Sequence, residues 1–181
     1  CVEAGAQPEA VAASLARFAA PHRRLEYTGT VCGVKLHPEY GHNPAEIRSA
    51  LENAAKQPHK RLFAVMQPHT YSRVKTLFQD YIHCFDLAAD VLVTDIFAAR
   101  EKDPGDIHAT MLVEAMQKEG VPAPYTPTFD DAEAYLRAHW QPGDLVITMS
   151  CGNINLPHDQ LQTHCEEGRH RIPPFVRRAA D

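Results

Sequence analysis

Three short apolar runs, Leu62–Met66, Val91–Val93 and Leu145–Met149, are separated by long stretches in which apolar residues recur every three or four positions. A continuous apolar run too short for a helix marks a strand covered on both faces. The intervening stripes are helical: Ile47, Ala50, Leu51 and Ala54; then Val74, Leu77, Phe78, Tyr81 and Phe85; then Ile107, Met111, Leu112 and Ala115; then Ala132, Tyr135 and Leu136. Buried strands alternating with helices of this length imply a parallel sheet with right-handed crossovers.

The punctuation agrees. Asn43 is placed to cap a helix, Pro44 suits its first position, and Glu46 stands where a capping box needs an acid. Gly120 stops the third helix, Thr128 caps the fourth, and Pro142-Gly143 turns into the last strand. Pro124–Thr126 is a further short strand candidate. Before this alternation, Val11, Leu15 and Phe18 give an amphipathic helix over 8–20. Leu25, Tyr27, Val31, Val34 and Leu36, broken by Gly29 and Gly33, suggest a hairpin. The expected fold is α/β: an open, mostly parallel, Rossmann-like sheet flanked by helices, with the N-terminal helix and hairpin as an appendage. Residues 1–39 form one unit and 40–181 the other. The tail after residue 156 is polar and ends basic.

The chain of 181 residues is 44% hydrophobic and 23% charged, ordinary for a globular protein. Its net charge of −5, with no basic run, argues against nucleic acid as a partner. No apolar run is long enough to span a bilayer, and no secretory signal precedes the fold, so a cytoplasmic location is expected. The odd number and irregular spacing of the cysteines, Cys1, Cys32, Cys84, Cys151 and Cys165, point to a reducing compartment. Cys151, His158, His164, Cys165 and His170 match no standard zinc spacing, and no metal site is expected.

Ligands of open parallel sheets bind beyond the carboxyl ends of the strands. Three polar loops stand there: Gln67-Pro68-His69-Thr70-Tyr71-Ser72-Arg73, Ile96-Phe97-Ala98-Ala99-Arg100-Glu101 and Ser150-Cys151-Gly152-Asn153. Tyr40 and His42 arrive just before the first helix of the alternation, whose N-terminal amides favour an anion. Arg73 offers a planar fork for a carboxylate or phosphate. Taken singly, each residue has a plainer reading. Arg73 suits a solvated first helical turn, His42 a turn before a cap, and His69 a loop-shaping hydrogen bond. Asn153 suits a turn and Cys151 a small packed thiol. The residues alone reach a small-molecule α/β domain with a candidate anion site. No G-x-x-x-x-G-K-[ST] loop or G-x-G-x-x-G turn occurs, and a Rossmann-like shape alone does not give nucleotide binding.

Longer segments resemble the C-terminal domain of the Mur ligases, in particular the branch that adds L-alanine to UDP-N-acetylmuramate. Gln67 to Arg73 is similar to its Q-P-H-R-Y-[ST]-R run, and Thr94-Asp95-Ile96-Phe97-Ala98-Ala99-Arg100-Glu101 to its T-D-[IV]-Y-x-A-x-E. Residues 1–20 resemble the last helix of the family's central ATP-binding domain, and Tyr27 to Val34 the hairpin that crosses into the C-terminal domain. The resemblance implies an ATP-dependent ligase of peptidoglycan synthesis. ATP and Mg2+ would sit mainly on the central domain, and this chain alone would hold no cofactor. Partners would be UDP-N-acetylmuramate, an amino acid, and the N-terminal and central domains, with no nucleic acid and no membrane. By the same resemblance Tyr40, His42, His69, Tyr71 and Arg73 bind substrate, Asn153 lies near the nucleotide, and no residue of this chain is expected to be catalytic. Pro38, Asn43, Thr70 and Asn153 replace the aspartate, histidine, arginine and aspartate of the family pattern. The rival class is a Mur-ligase-like binding or regulatory domain that does not ligate.

Overall fold

The computed structural model describes residues 2–17 and 24–151. A helix, α1 (Pro8–Ala16), comes first, followed by a hairpin of β1 (Gly29–Val31) and β2 (Val34–Glu39). Then follow α2 (Pro44–Ala55), β3 (Leu62–Met66), α3 (Tyr71–Thr76), α4 (Phe78–Ile82), β4 (Asp90–Val93), α5 (Ala109–Lys118), α6 (Phe129–His139) and β5 (Leu145–Met149). The sheet order is β1-β2-β5-β3-β4, with only the hairpin antiparallel. The mostly parallel α/β sheet expected from the apolar runs is therefore present.

Successive side chains of a strand point to opposite faces, so each buried strand feeds two cores. Ala64, Met66, Val91, Val93 and Ile147 pack with Ile47 and Leu51 of α2, Tyr81 of α4 and Leu112 of α5. Phe63, Val65, Leu92 and Val146 face the other way, onto Leu136 of α6 and Trp140. Each such large apolar side chain contributes roughly 1.5–3 kcal/mol when fully buried. None of the residues of α1 is buried, and Leu15 is 68% exposed.

The hairpin belongs to the sheet more closely than an appendage would. β2 runs parallel to β5 in continuous register from Lys35↔Leu145 to Glu39↔Met149. Pro38 is tolerated because β1 has already ended: its last partner pair is Gly29↔Leu36, so at Pro38 one side of β2 has no ladder to supply. Gly33 turns the hairpin at φ 80°, a left-handed conformation that favours glycine.

Three local expectations differ from the structure. The stretch at Pro124–Thr126 makes only an isolated parallel bridge, Val93↔Tyr125. The carbonyls of Pro122, Pro124 and Pro127 accept from Val91, Val93 and Asp95, but the three prolines have no N–H to return. The helix expected from Val74 to Phe85 breaks at Leu77 (φ −106°, ψ 20°) into α3 and α4. Finally, Cys84 and Cys151 are free, whereas Cys32 is disulfide-bonded, which the odd cysteine count does not suggest. Phe18, Asn153, the tail after 156 and the His/Cys group other than Cys151 also lie outside them. Among the described residues no helix is long and apolar enough to cross a membrane.

Candidate functional site

The loops beyond the carboxyl ends of the strands are stitched together by main-chain hydrogen bonds that extend the ladder past the strands. Ser150 N donates to Glu39 O, Gln67 N to Met149 O, Thr94 N to Met66 O, Phe97 N to Pro68 O, and Thr70 N to Phe97 O. Ser150 Oγ adds a 2.7 Å bond to the Gln67 side chain. The side chains at this rim thus stand on a fixed frame.

His42 is fixed from several sides. Asn43 caps α2, its side chain accepting from Glu46 N at 3.0 Å, as its place before Pro44 predicts. The Glu46 carboxylate reaches back one residue further than a capping box requires and accepts from His42 N at 3.0 Å. Burial opposes the charge on Glu46, but the His42 N–H, the positive charge a protonated His42 ring carries, Arg24 and the N–H of Asn43 outweigh it and hold its pKa below the usual value. The Tyr81 hydroxyl donates to the His42 carbonyl at 2.6 Å, and burial raises the pKa of that phenol. Glu39, almost fully buried, organises the approach to His42 by accepting from Gly41 N (2.9 Å) and Leu25 N (2.7 Å) and pairing with Arg24 at 3.5 Å. Arg24 also lies over the Tyr40 ring, 5.4 Å from its centre.

The second wall is the loop after β3. Arg73, in the first turn of α3, donates to His69 Nδ1 at 3.0 Å. Burial first, then the Arg73 guanidinium and the nearby His42 ring, lower the His69 pKa, with Glu101 opposing. The His69 ring lies 5.5 Å from that of His42 and 5.7 Å from that of Phe97; Tyr40 meets His42 edge-on at 5.6 Å. Next to His69, Thr70 adopts φ 63°, ψ 137°, a sparsely populated conformation for a β-branched residue. That backbone prevents Thr70 from capping α3, and Glu101 takes over, accepting from Ser72 N at 2.9 Å and from Ser72 Oγ. Hydrogen bonds from the Ser72 hydroxyl, then its amide, lower the Glu101 pKa.

The structure therefore gathers Tyr40, His42, His69 and Arg73 at one place. Tyr71 stands apart from them, lining a cavity of about 400 Å³ with Ser72, Lys75, Glu101 and Asp106. Glu39, Glu46, Tyr81 and Glu101 were missed as members of the site. Glu101 ends a recognisable run and Glu46 was read as part of a cap, but nothing in the sequence shows that Tyr81, on a helix stripe, reaches His42. Among the described residues no cluster of His, Cys, Asp and Glu could hold a metal ion.

The carboxyl-end rim of the parallel sheet thus carries two imidazoles, a guanidinium and a phenol side by side. The chain belongs to the Mur ligase family: the family model "Mur ligase, glutamate ligase domain" matches residues 23–152. It is 43% identical over 152 residues to the UDP-N-acetylmuramate–L-alanine ligase of Alkaliphilus metalliredigens, covering 84% of this chain and 33% of the relative. It is 43% identical over 150 residues to the ligase of the same name from Caldanaerobacter subterraneus, covering 83% and 33%. The chain thus spans about a third of the length of the curated relatives it matches. Among solved structures it superposes on the UDP-N-acetylmuramate-alanine ligase of Thermotoga maritima with a TM-score of 0.69 at 17% identity, covering 92% of this chain and 35% of that one. The murein peptide ligase of Psychrobacter arcticus gives 0.68 at 21%, covering 90% and 34%. At these identities the structural matches speak for the fold.

Proposed function

We propose that this chain is the C-terminal, amino-acid-receiving domain of a cytoplasmic, ATP-dependent UDP-N-acetylmuramate–L-alanine ligase of peptidoglycan synthesis. The observation that carries the reading is the meeting of Tyr40, His42, His69 and Arg73 at the strand ends, in a chain whose sequence relatives bear that name. A guanidinium and an imidazole side by side suit a carboxylate, and their fixed frame suits catalysis by positioning. ATP and Mg2+ are assigned mainly to the preceding domain, because the sequence has no phosphate-cradling glycine loop. Residues 1–20 are read as the end of that domain, and what supports this is that no residue of α1 is buried.

The test is a chimaera in which this chain replaces the matching C-terminal third of the Alkaliphilus metalliredigens ligase. ADP release dependent on both UDP-N-acetylmuramate and L-alanine is the expected result. A soluble, cooperatively melting chimaera that binds UDP-N-acetylmuramate but ligates no amino acid would move the chain to the non-ligating, binding class.

A further inference from the structure

The hydrogen-bond partners of the two facing histidines determine which ring nitrogens carry protons, and the two answers are opposite. His69 Nδ1 lies 3.0 Å from Arg73 Nη1. A guanidinium only donates, so Nδ1 must accept, and the proton of the neutral ring sits on Nε2. His42 Nδ1 lies 3.0 Å from the Tyr40 carbonyl and 3.5 Å from the Glu46 carboxylate. Both of those only accept, so Nδ1 carries the proton and Nε2 of the neutral ring has a free lone pair. The rim therefore presents donors on one side, Arg73 and His69 Nε2–H, and an acceptor on the other, His42 Nε2, with the rings 5.5 Å apart. An amino-acid zwitterion has the complementary arrangement. Its carboxylate accepts hydrogen bonds, while its ammonium donates them and must lose a proton before the nitrogen can attack.

Resting on the ligase reading above, we propose that His42 Nε2 is the catalytic base that deprotonates the incoming amino acid, with Glu46 as a positioning residue that accepts from the His42 main-chain N–H and lies 3.5 Å from Nδ1. The ammonium gives one proton to Nε2. The freed lone pair forms the C–N bond at the carbonyl carbon of the acyl phosphate, which the substrate carboxylate and ATP have produced. The C–O bond to phosphate breaks, its electron pair leaving with inorganic phosphate. The second proton lost from nitrogen goes to that phosphate, and His42 returns its own to solvent. His69 is excluded from this task while Arg73 occupies its lone pair. Its Nε2–H serves the carboxylate instead.

The experiment uses the full-length ligase carrying this domain and compares L-alanine with its aminooxy analogue, whose nitrogen is uncharged at neutral pH and needs no base. In His42→Gln, which keeps a polar side chain of similar reach but takes no proton, kcat with alanine falls about a hundredfold or more, the scale of general-base catalysis. Turnover of the aminooxy analogue falls less, by about a factor of ten or more relative to the loss with alanine, because only alanine needs the base. Glu46→Gln gives the same selectivity in weaker form. The base assignment is overturned by equal losses with both nucleophiles, by a change confined to KM for alanine, or by unchanged alanine turnover. If the parent enzyme forms neither product, nor a hydroxamate when hydroxylamine intercepts the acyl phosphate, the ligase reading itself is wrong.

Discussion

Two arginines flank the same strand and do opposite work. Arg61 precedes β3 and Arg73 follows it, so they stand at the two ends of the sheet. Arg61 is paired within the protein: it binds both oxygens of Asp144 at 2.6 and 3.3 Å, donates to the His139 carbonyl at 2.7 Å, and lies over Phe63. Asp144 is fully buried and also accepts from Gln141 N. This end is closed, and its charges cancel within the protein. Arg73 has a hydrogen bond to His69, a group that is itself neutral near neutral pH, and no carboxylate pairs with it among the described residues. A guanidinium left with unused donors at a rim is prepared for a ligand from outside. The two arginines differ in the number of partners the protein already supplies, which residue type alone does not reveal.

The largest effect should come from breaking the closed end. Arg61→Leu leaves the Asp144 carboxylate buried and uncompensated, a loss of about 3–5 kcal/mol in unfolding free energy. Urea denaturation of the chain measures it, and a loss under about 1 kcal/mol would erase the contrast. Arg73→Ala should behave the other way: stability within about 0.5 kcal/mol of the parent, but KM for the amino acid raised about ten- to a hundredfold in the full-length enzyme, from the 1.5–3 kcal/mol of a charged hydrogen bond. KM for ATP should hold steady, and Thr70→Arg should tighten the amino acid. An unfolding loss as large as that of Arg61→Leu would show that the open end is structural after all.

A third test uses acid. Burial, the leading cause in each case, lowers the pKa of His37 and of His69 below 6.5. The unfolded chain then takes up these protons first, so the stability they carry is intact above about pH 6.5. It is lost as pH falls below that value and through the folded pKa. His37 is the more buried and its Nε2 has no partner, so His37→Gln should flatten the loss between pH 7 and 5 more than His69→Gln does. NMR titration of His69 with a midpoint at or above 6.5 would contradict the picture. The smallest effect is expected at Lys75–Asp106, an ion pair whose side chains are 61% and 53% exposed. Lys75→Ala should change stability by ~0.5 kcal/mol or less.

Those expectations rest on features that the sequence reveals unevenly. β3 and β5 coincide with the apolar runs read from sequence, and Asn43 and Thr128 cap their helices as their positions suggest. These are local signals, a run length and a cap, and nothing distant needs to be known. The placement of β2 beside β5 was not legible, because it depends on pairing across more than a hundred residues of chain. The failed strand at Pro124–Thr126 shows the reverse case, where local composition suggested pairing and three missing donors prevented it. At the site, Tyr40, His42, His69 and Arg73 were legible because each sits at an element boundary. Tyr71 enters the group only through the motif it belongs to, and it lines a cavity with Ser72, Lys75 and Glu101. The hydrogen bond from Tyr81 to the His42 carbonyl joins residues far apart in sequence, and its helix-stripe position advertised only burial.

The stitching of the rim has an evolutionary consequence. Ser150 to Glu39, Gln67 to Met149, Thr94 to Met66, Phe97 to Pro68 and Thr70 to Phe97 are all main-chain bonds. Any residue other than proline can make such a donor, whatever side chain it carries. Mutation can therefore exchange the groups that face the ligand while the scaffold beneath them stays inherited. Thr70, where the family pattern has arginine, keeps its main-chain bond to Phe97 with a different side chain. A lineage can drift in what its rim recognises without first losing the rim.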